Sequence, residues 1–531
     1  MKQLKLTLLV LLATSMGAFA APNSLYFMDI LPFQSYMNPA MRPLSDVYVE
    51  LPGMSNLSAS ANTGGLTLND IFYVKEGQLV TFLHPEYGSK DALFAKLRNN
   101  NYATLDVDVS ALGFGWATGE KGYFTFNTSV RLDVMACMPK DFASLLLYGT
   151  PDEEGVNRYD LSSSRLNGHA YIDVAGGYSH RINDQWTVGG RLHMLVGAAA
   201  GEVSFDELLL EASKDAWRLS GNGKVNFSVP GMYFVPNSDG SIDRIETIDI
   251  SNVLSFYKPS MGAAIDLGAT YKPIPALTLS LSLKDIGFMY WNNLTSASGQ
   301  IDGVFNGIYY DVNNPINFVD SLLSSVSGSL QVDNAKGGYI QEMRGKLYVG
   351  AEYSFLRNMM SVGVLSKTEF MSKYVSEEVS LNYKIRPCHW FGISAGYSFV
   401  SGGWSTIGFG MDIKLPPFNF YVATDYTPLY YSAAGIPYKS QAINVQAGIV
   451  LTFNTRDNAK RLTAKAADLA AIPEVTAEEP AAEPQALPEP QAVPEPQAVP
   501  ELVEGLLTDS EKAPAEPETL AEPELSAERA E

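Results

Sequence analysis

Apolar and polar residues alternate strictly along several segments of this chain. Over residues 277–284 a leucine occupies every second position and polar side chains occupy the others. Similar alternation recurs over residues 347–355 and 407–414. Because successive side chains of a strand point to opposite faces, each segment has one apolar face. Segments of about ten residues with this pattern, separated by turns, indicate a transmembrane β-barrel.

The hairpins along the chain predict an all-β fold, an antiparallel barrel of about 14 strands. Short turns are predicted over residues 118–122, 182–185 and 272–276, and long excursions over 138–165, 202–259 and 291–344. In such barrels short turns face the periplasm and long loops face the exterior. An even strand number returns both ends of the barrel to the same side.

The ends of the chain differ from its middle. Residues 1–20 combine Lys2 and Lys5 with an apolar run and small residues before position 20, which predicts a secretory signal peptide. Residues 21–101 are non-repetitive and predict a hatch-like segment, and residues 102–454 form the barrel. Residues 455–531 are rich in Pro, Ala and Glu with three six-residue copies, which predicts a disordered periplasmic tail. The location predicted is the outer membrane of a Gram-negative bacterium.

The charge of the chain is strongly negative and uneven. The net charge is −21, and the tail carries 6 basic against 18 acidic residues, a share of −12. Nucleic acid is excluded as a partner, because phosphate binding needs clustered cations. The partners expected are outer-membrane lipid and the barrel-insertion machinery. A passive spacer is the favoured interpretation of the tail, and a tail that binds a periplasmic partner is the other.

Charged residues fall on the polar faces of the predicted strands and are candidates for lining the lumen. Such residues line a path for polar solutes, or they pair across strands and hold a narrow barrel shut. The candidates are Arg131, Asp133, Asp173, Arg191, Asp266, Lys284, Glu352, Asp412 and Lys414. In the last strand, the spacing of Gln446, Gly448, Leu451 and Phe453 is typical of the closing-strand signal for barrel insertion.

Reactive residues form no site that sequence spacing can define. The five histidines lack the spacing of metal ligands, and no catalytic residue or cofactor is predicted. Residues 237–243 carry oxygen ligands around a glycine, as calcium loops do. They lack the later glutamate of such a loop, and this absence favours a simple polar turn. Spacing does not decide whether Cys137 and Cys388 form a disulfide, and two thiols are the favoured interpretation.

Two regions carry a resemblance to known proteins. Residues 25–28, 38–40 and 48–52, together with 266–272, 282–288 and Trp291, resemble a Bacteroidota family of outer-membrane barrels of unknown function, over about residues 23 to 454. That family is similar to the long-chain fatty acid transporter (FadL-type) superfamily, whose 14-stranded barrels carry an N-terminal hatch with an Asn-Pro-Ala motif. The resemblance implies that Asn38, Pro39 and Ala40 are the hatch motif.

The function predicted is passive transport of small or hydrophobic molecules by a protein that is not an enzyme. No residue matches a fatty-acid site, so the substrate is not transferred from the FadL-type proteins. PorP-type barrels of type IX secretion also carry an Asn-Pro-Ala motif near their start. The alternative is therefore a structural or accessory envelope protein, with a closed barrel and a periplasmic tether to a secretion or cell-wall partner.

Overall fold

The structure is a computed structural model that describes residues 23–64, 66, 70, 72–75, 78–81, 90–149, 155–214, 216–247, 258–305, 330–333, 337–356, 358–371, 374–400, 404–426 and 442–455. The predicted signal peptide and all of the predicted tail except Thr455 lie outside the described residues. Among the described residues, no helix is long and apolar enough to cross a lipid bilayer.

The described part of the chain consists almost entirely of strands. A short 3-10 turn, Asn23–Leu25, precedes the helices α1 (Gln34–Met37), α2 (Lys90–Lys96) and α3 (Lys140–Tyr148). The strands are β1 (Ser45–Glu50), β2 (Leu57–Asn62), β3 (Phe72–Lys75), β4 (Gln78–Thr81), β5 (Asn100–Thr118), β6 (Gly122–Pro139), β7 (Asn157–Asp160), β8 (Arg165–Arg181), β9 (Trp186–Ala212), β10 (Trp217–Ser228), β11 (Met232–Pro236), β12 (Ile242–Thr247), β13 (Ser260–Ile274), β14 (Leu277–Trp291), β15 (Thr295–Phe305), β16 (Gln331–Asp333), β17 (Tyr339–Glu342), β18 (Lys346–Phe355), β19 (Met360–Met371), β20 (Tyr374–Cys388), β21 (Phe391–Val400), β22 (Trp404–Leu415), β23 (Phe418–Thr424) and β24 (Ala442–Thr455).

The wall of the barrel is a closed antiparallel sheet with 14 strand positions. β1 and β2 share the first position, and β5, β6, β8, β9, β13, β14 and β18 to β24 follow in that order around the wall. β24 pairs with β1 and β2, and β1 pairs with β5 on its other side. Every wall strand therefore has a neighbour on both sides, which confirms the predicted fold and strand number.

The outer surface of the wall is apolar. The alternating leucines of β14 point outward, with Leu281 51% exposed, while Ser282 beside it is buried in the barrel. Exposed aromatic side chains cluster near the short turns, at what is called here the short-turn end. They are Trp116, Tyr178, Trp186, Tyr353, Trp390, Phe418 and Phe453. An apolar band with an aromatic girdle is the surface that a membrane β-barrel presents to lipid.

At the other end, the long-loop end, part of the sheet continues beyond the wall. β9 spans 27 residues and pairs first with β13 and then, over residues 200–212, with β10. β7, β15 and β16 join this extension. An apolar core that includes Leu145 of α3 and Trp217 of β10 lies in the extension. The predicted excursions over residues 138–165 and 202–259 therefore contribute strands as well as loops.

The first wall strand lies inside the range 21–101 that the sequence assigns to the hatch. Residues 45–50 and 57–62 both pair with β24, and residues 51–56 between them oppose only residues 448 and 449. The amide of Gly53 still donates to the Ser110 carbonyl at 2.8 Å, so the wall stays hydrogen-bonded across this bulge. The bulge interrupts the strand pattern, which explains why the strand is not visible in the sequence. The hatch inside the barrel is residues 23–44.

Candidate functional site

The hatch, residues 23–44, fills the lumen near the short-turn end. Its apolar side chains are buried together with residues that point inward from the wall. The hatch contributes Leu25, Tyr26, Phe27, Met28, Ile30, Leu31, Phe33 and Met37, and the wall contributes Tyr48, Tyr123, Tyr348, Leu365, Tyr421, Ala423 and Val450. Burying a side chain of this size is worth about 1.5–3 kcal/mol, so the packed state of the hatch is strongly favoured.

The hatch contacts opposite sides of the wall at once. The hydroxyl of Tyr26 donates to Ser280 Oγ on β14 at 3.1 Å, and burial raises the pKa of Tyr26 to about 12, which keeps this donor protonated. The rings of Phe33 and Tyr421, on β23, have centroids 4.7 Å apart. A segment anchored on both sides of the barrel is a plug across the lumen.

The predicted hatch motif is buried against the wall. Asn38 is fully buried, and its Nδ2 donates to the Tyr26 hydroxyl at 3.1 Å and to the Leu281 carbonyl at 3.3 Å. Asn38 Oδ1 accepts the amide of Ala40 at 3.0 Å. One asparagine therefore fixes the local turn of the hatch and ties it to β14.

Two glycines of the wall form the seat for the motif. Gly189 on β9 and Gly268 on β13 face each other in register. A Cβ at Gly189 would collide with the Pro39 carbonyl, and a Cβ at Gly268 would collide with Asn38 Oδ1. Only glycine lets the backbone of the hatch approach this closely. The sequence gives no signal for this seat, because glycines are frequent in the strands and the motif lies far away along the chain.

Ionic and polar contacts add to the packing of the hatch. Asp29 Oδ1 lies 2.9 Å from Arg386 Nη1 and 3.7 Å from Lys384 Nζ. Burial alone would raise the pKa of Asp29, but these two cations outweigh it and lower the pKa to about 2. The amide of Ser24 donates to Asp425 Oδ1 at 3.0 Å. The hatch is thus held at its start, its middle and its motif.

Cavities lie on both faces of the hatch. The one called here the charged chamber has a volume of about 140 Å³ and includes the hatch residues Phe33, Tyr36 and Met37 in its lining. The other, the vestibule, has a volume of about 260 Å³ and is lined by Tyr26 and Asp29 from the opposite face of the hatch. The hatch therefore divides the lumen into two compartments.

The predicted lumen residues separate between these compartments. Arg131, Asp133, Asp173, Arg191 and Lys284 line the charged chamber. Asp266 is buried beside this group, 3.0 Å from His193. Glu352 lines the vestibule, while Asp412 and Lys414 are buried in β22 towards the short-turn end. The structure thus brings six of the nine together and leaves Glu352, Asp412 and Lys414 apart from them.

Opposite charges are paired across the charged chamber. Arg131 reaches Asp108 at 3.1 Å, Asp173 at 3.4 Å and Asp285 at 3.0 Å. Arg344 pairs with Asp106 and lies 2.7 Å from Asp133 and 3.4 Å from Glu369. Arg191 stacks on the Tyr36 ring of the hatch at 4.4 Å. Each arginine thus ties wall strands, or wall and hatch, together.

Several partners in this network were missed from the sequence. A signal existed for Asp106 and Asp108, which alternate with Leu105, Val107 and Val109 in β5. Arg344 falls at the end of the excursion 291–344, where no strand pattern indicates its direction. Asp285 follows Lys284 directly, so simple alternation places only one of the two inside the barrel.

The other predicted residues have clear positions. Gln446 is buried and its Nε2 donates to Asn56 Oδ1 at 2.8 Å, while Gly448 packs against the Ser55 carbonyl in the bulge of the first wall strand. Leu451 is half-buried and Phe453 is exposed on the outer surface.

No disulfide joins Cys137 and Cys388 in the described residues. The calcium-like segment is a turn in which Asp239 Oδ1 accepts the amide of Ser241 at 3.0 Å. His84 lies outside the described residues.

The solved structures that this chain is similar to include a FadL homologue and a toluene transporter. A Pseudomonas aeruginosa FadL homologue is 9% identical, with 82% of this chain and 100% of that chain covered and a TM-score of 0.39. The Pseudomonas putida toluene transporter TodX is 9% identical, with 82% and 93% covered and a TM-score of 0.33. No curated protein matches the chain.

A family match covers most of the barrel. The description of the family is "Family of unknown function (DUF5723)", and the match spans residues 39–425. This range runs from the hatch motif to the end of β23 and confirms the predicted membership of a family of unknown function. The chain therefore belongs to the Family of unknown function (DUF5723).

Proposed function

We propose that the protein is an outer-membrane channel, not an enzyme, that lets small molecules diffuse down their gradient when the hatch leaves its seat. The observation that carries this proposal is the pair of cavities on opposite faces of the hatch. Among the described residues, the segment that lies between the two cavities is the hatch. Displacement of that one segment joins the two compartments.

The lining of both compartments favours polar solutes within the expected class of small or hydrophobic molecules. The charged chamber presents Arg131, Lys284 and Lys367 beside several carboxylates, and the vestibule presents Lys272 and Lys384. A hydrophobic molecule gains no binding free energy from a charged, hydrated lining. A polar solute can replace its hydrogen bonds to water with hydrogen bonds to that lining.

The seat of the hatch provides the sharpest test. Gly189→Ala combined with Gly268→Ala places two methyl groups under the Asn-Pro-Ala motif and weakens the docking of the hatch. A loss of about 1.4 kcal/mol of docking free energy raises the population of the undocked state about tenfold. The mean conductance in planar bilayers should therefore rise by at least about tenfold. Gly176→Ala is the matched control, because a Cβ at this wall glycine meets no atom within 4 Å. Heat-modifiable migration on gels checks that each barrel is folded.

Solute uptake decides whether the channel is a transporter. Proteoliposomes with the wild-type chain should take up a small sugar or zwitterionic amino acid faster than lipid alone, and the double glycine variant should do so faster still. Toluene uptake is the comparison for hydrophobic cargo. Transport is rejected if the folded wild-type and double variant pass neither class of solute above the lipid background.

The second candidate is a scaffold whose barrel stays closed. The apolar core between hatch and wall and the ion pairs of Asp29 favour it, because they hold the hatch firmly in place. In this function the tail after Asn454 reaches a periplasmic partner, and the barrel contacts only lipid and the insertion machinery. A chain that ends at Asn454 separates the two candidates: a transporter keeps its solute uptake, whereas a scaffold loses its partner in a pull-down of cross-linked envelope.

A further inference from the structure

A compact group of ligand-bearing side chains lies in the wall of the charged chamber. His193 on β9 is flanked by Asp173 on β8 and Asp266 on β13, at diagonal register positions. His193 Nδ1 lies 2.9 Å from Asp173 Oδ1, and His193 Nε2 lies 3.0 Å from Asp266 Oδ2. Asp285 on β14 completes the group, so four consecutive wall strands each contribute one side chain.

The group is buried and incompletely satisfied. His193 is 6% exposed, Asp266 is fully buried and Asp285 is 5% exposed. His193 Nε2 and Asp266 Oδ2 lie 3.0 Å apart as an ion pair whose geometry is poor for a hydrogen bond, and neither atom has another hydrogen-bond partner. Buried polar atoms of this kind are normally hydrogen-bonded or bound to a metal ion. Nε2, Oδ2 and one oxygen of Asp285 lie within 4.8 Å of one another, so that small side-chain rotations bring all three onto one ion.

A local irregularity of β14 aims Asp285 into this group. The register between β13 and β14 shifts at Asp266, which faces both Lys284 and Asp285. Asp285 has φ +57°, in the left-handed region, and its amide donates to Asp266 Oδ1 at 2.7 Å. This bulge turns two adjacent side chains into the lumen. Bulges that redirect a side chain are common beside functional sites.

The charges around the group leave room for a cation. The carboxylates are Asp108, Asp173, Asp266 and Asp285. The cations that act on them are Arg131, within 3.4 Å of three of them, Lys284, 3.8 Å from Asp285, and Lys346, which interacts electrostatically with Asp285. The four carboxylates outnumber these three cations, so the group carries net negative charge when His193 is neutral.

We propose that His193 Nε2, Asp266 Oδ2 and an oxygen of Asp285 bind a divalent first-row transition cation, with Zn²⁺ as the best-matched ion. One imidazole nitrogen with two carboxylates is a ligand set that zinc accepts and that Ca²⁺, which prefers oxygen alone, does not favour. Asp173 accepts the Nδ1 proton and so directs Nε2 towards the ion, as carboxylates behind metal-bound histidines do. The bound ion joins β9, β13 and β14 in the wall of the charged chamber. This site cannot be recognised from sequence spacing, because its ligands come from different strands.

Zinc binding to the full chain without a histidine tag, purified in detergent, tests the proposal. Equilibrium dialysis against Zn²⁺ should give one ion per folded chain, and a tenfold excess of Ca²⁺ should not displace it. His193→Gln should weaken binding at least tenfold, and Asp173→Asn about 10- to 100-fold. His169→Gln is the matched control, since His169 Nε2 lies 3.2 Å from Asp133 in the same lumen; its zinc affinity should stay within about twofold of the wild type.

Co²⁺ provides a second measurement that needs no variant. Co²⁺ bound to the wild-type chain should show ligand-field absorption that Zn²⁺ abolishes at one equivalent. Absence of stoichiometric Zn²⁺ in the wild-type chain, or equal affinity in folded His193→Gln, overturns the proposal and leaves a protonated His193 between two carboxylates. Neither result bears on solute transport, which is measured separately.

Discussion

The hatch seat and the charged chamber are adjacent in one lumen but rest on different interactions. At the seat, the neutral residues Asn38 and Pro39 pack against two glycines of the wall, Gly189 and Gly268. In the chamber, Arg344 holds Asp106 and Asp133, which directly oppose each other on β5 and β6. The seat joins a separate segment to the wall, whereas the chamber joins wall strands to one another.

This difference assigns the two regions different roles. A lost contact at the seat lowers the free energy of hatch docking and leaves the strand pairing of the wall unchanged. A lost cation in the chamber leaves like charges facing each other in neighbouring strands, which destabilises the sheet. Perturbing the seat should therefore change conductance, and perturbing the chamber should change the stability of the barrel.

The largest effect is expected from Arg344→Met. This change leaves the partly buried Asp106, Asp133 and Glu369 without their shared cation, and removing one partner of a buried ion pair costs about 3–5 kcal/mol, which is the upper bound here. Urea unfolding of the barrel in detergent measures the free energy of unfolding. Arg218→Met is the matched control, because Arg218 pairs with Asp302 in an exposed position, where a pair is worth about 0–1 kcal/mol. Equal losses in both variants contradict the assignment of the chamber to wall stability.

The sequence predicts the wall better than the lumen, and the reason is geometric. Strict alternation over residues 277–284 identifies the lipid-facing side of β14, because lipid demands an apolar side chain at every outward position. The bulge at Asp285 breaks this alternation at one residue, and with it the prediction of what points inward. The first wall strand was missed for the same reason, since residues 51–56 interrupt it.

The hatch motif shows a second limit. The resemblance predicts Asn38, Pro39 and Ala40 as the motif, but it does not predict the surface of the wall that these residues contact. Gly189 and Gly268 become a pair only when β9 and β13 align, and that register depends on the whole closed sheet. The group around His193 has the same origin. Contacts between distant strands are a property of barrel closure, which local patterns do not contain.

An intermediate effect is expected from Asn38→Ala. The variant loses the bonds to Tyr26 and the Leu281 carbonyl and leaves the buried Ala40 amide unsatisfied, at a cost of about 1–3 kcal/mol. Single-channel recording should show the open state about five- to a hundredfold more often, with the unfolding free energy of the wall unchanged. Asn222→Ala, at an exposed position in the extension, is the control. A fall in wall stability without any change in conductance would remove the distinction between the two regions.

The smallest effect is expected from Asp29, whose carboxylate forms ion pairs with Lys384 and Arg386 of strand β20. Because Lys384 and Arg386 lower the pKa of Asp29 from 3.8 to about 2, its contribution to docking is complete above about pH 4 and is lost as the pH falls through 2. Below about pH 4, where Asp29 begins to lose its charge, the conductance of the wild-type protein should rise by a further factor of about three to ten, discounted for partial exposure. Asp29→Asn should show the raised conductance already at neutral pH and no acid step that depends on this residue, whereas Asp184→Asn in an exposed short turn should behave as the wild type. If Asp29→Asn keeps the full acid step, the acid response belongs to other carboxylates, and Asp29 does not contribute to the docking of the hatch.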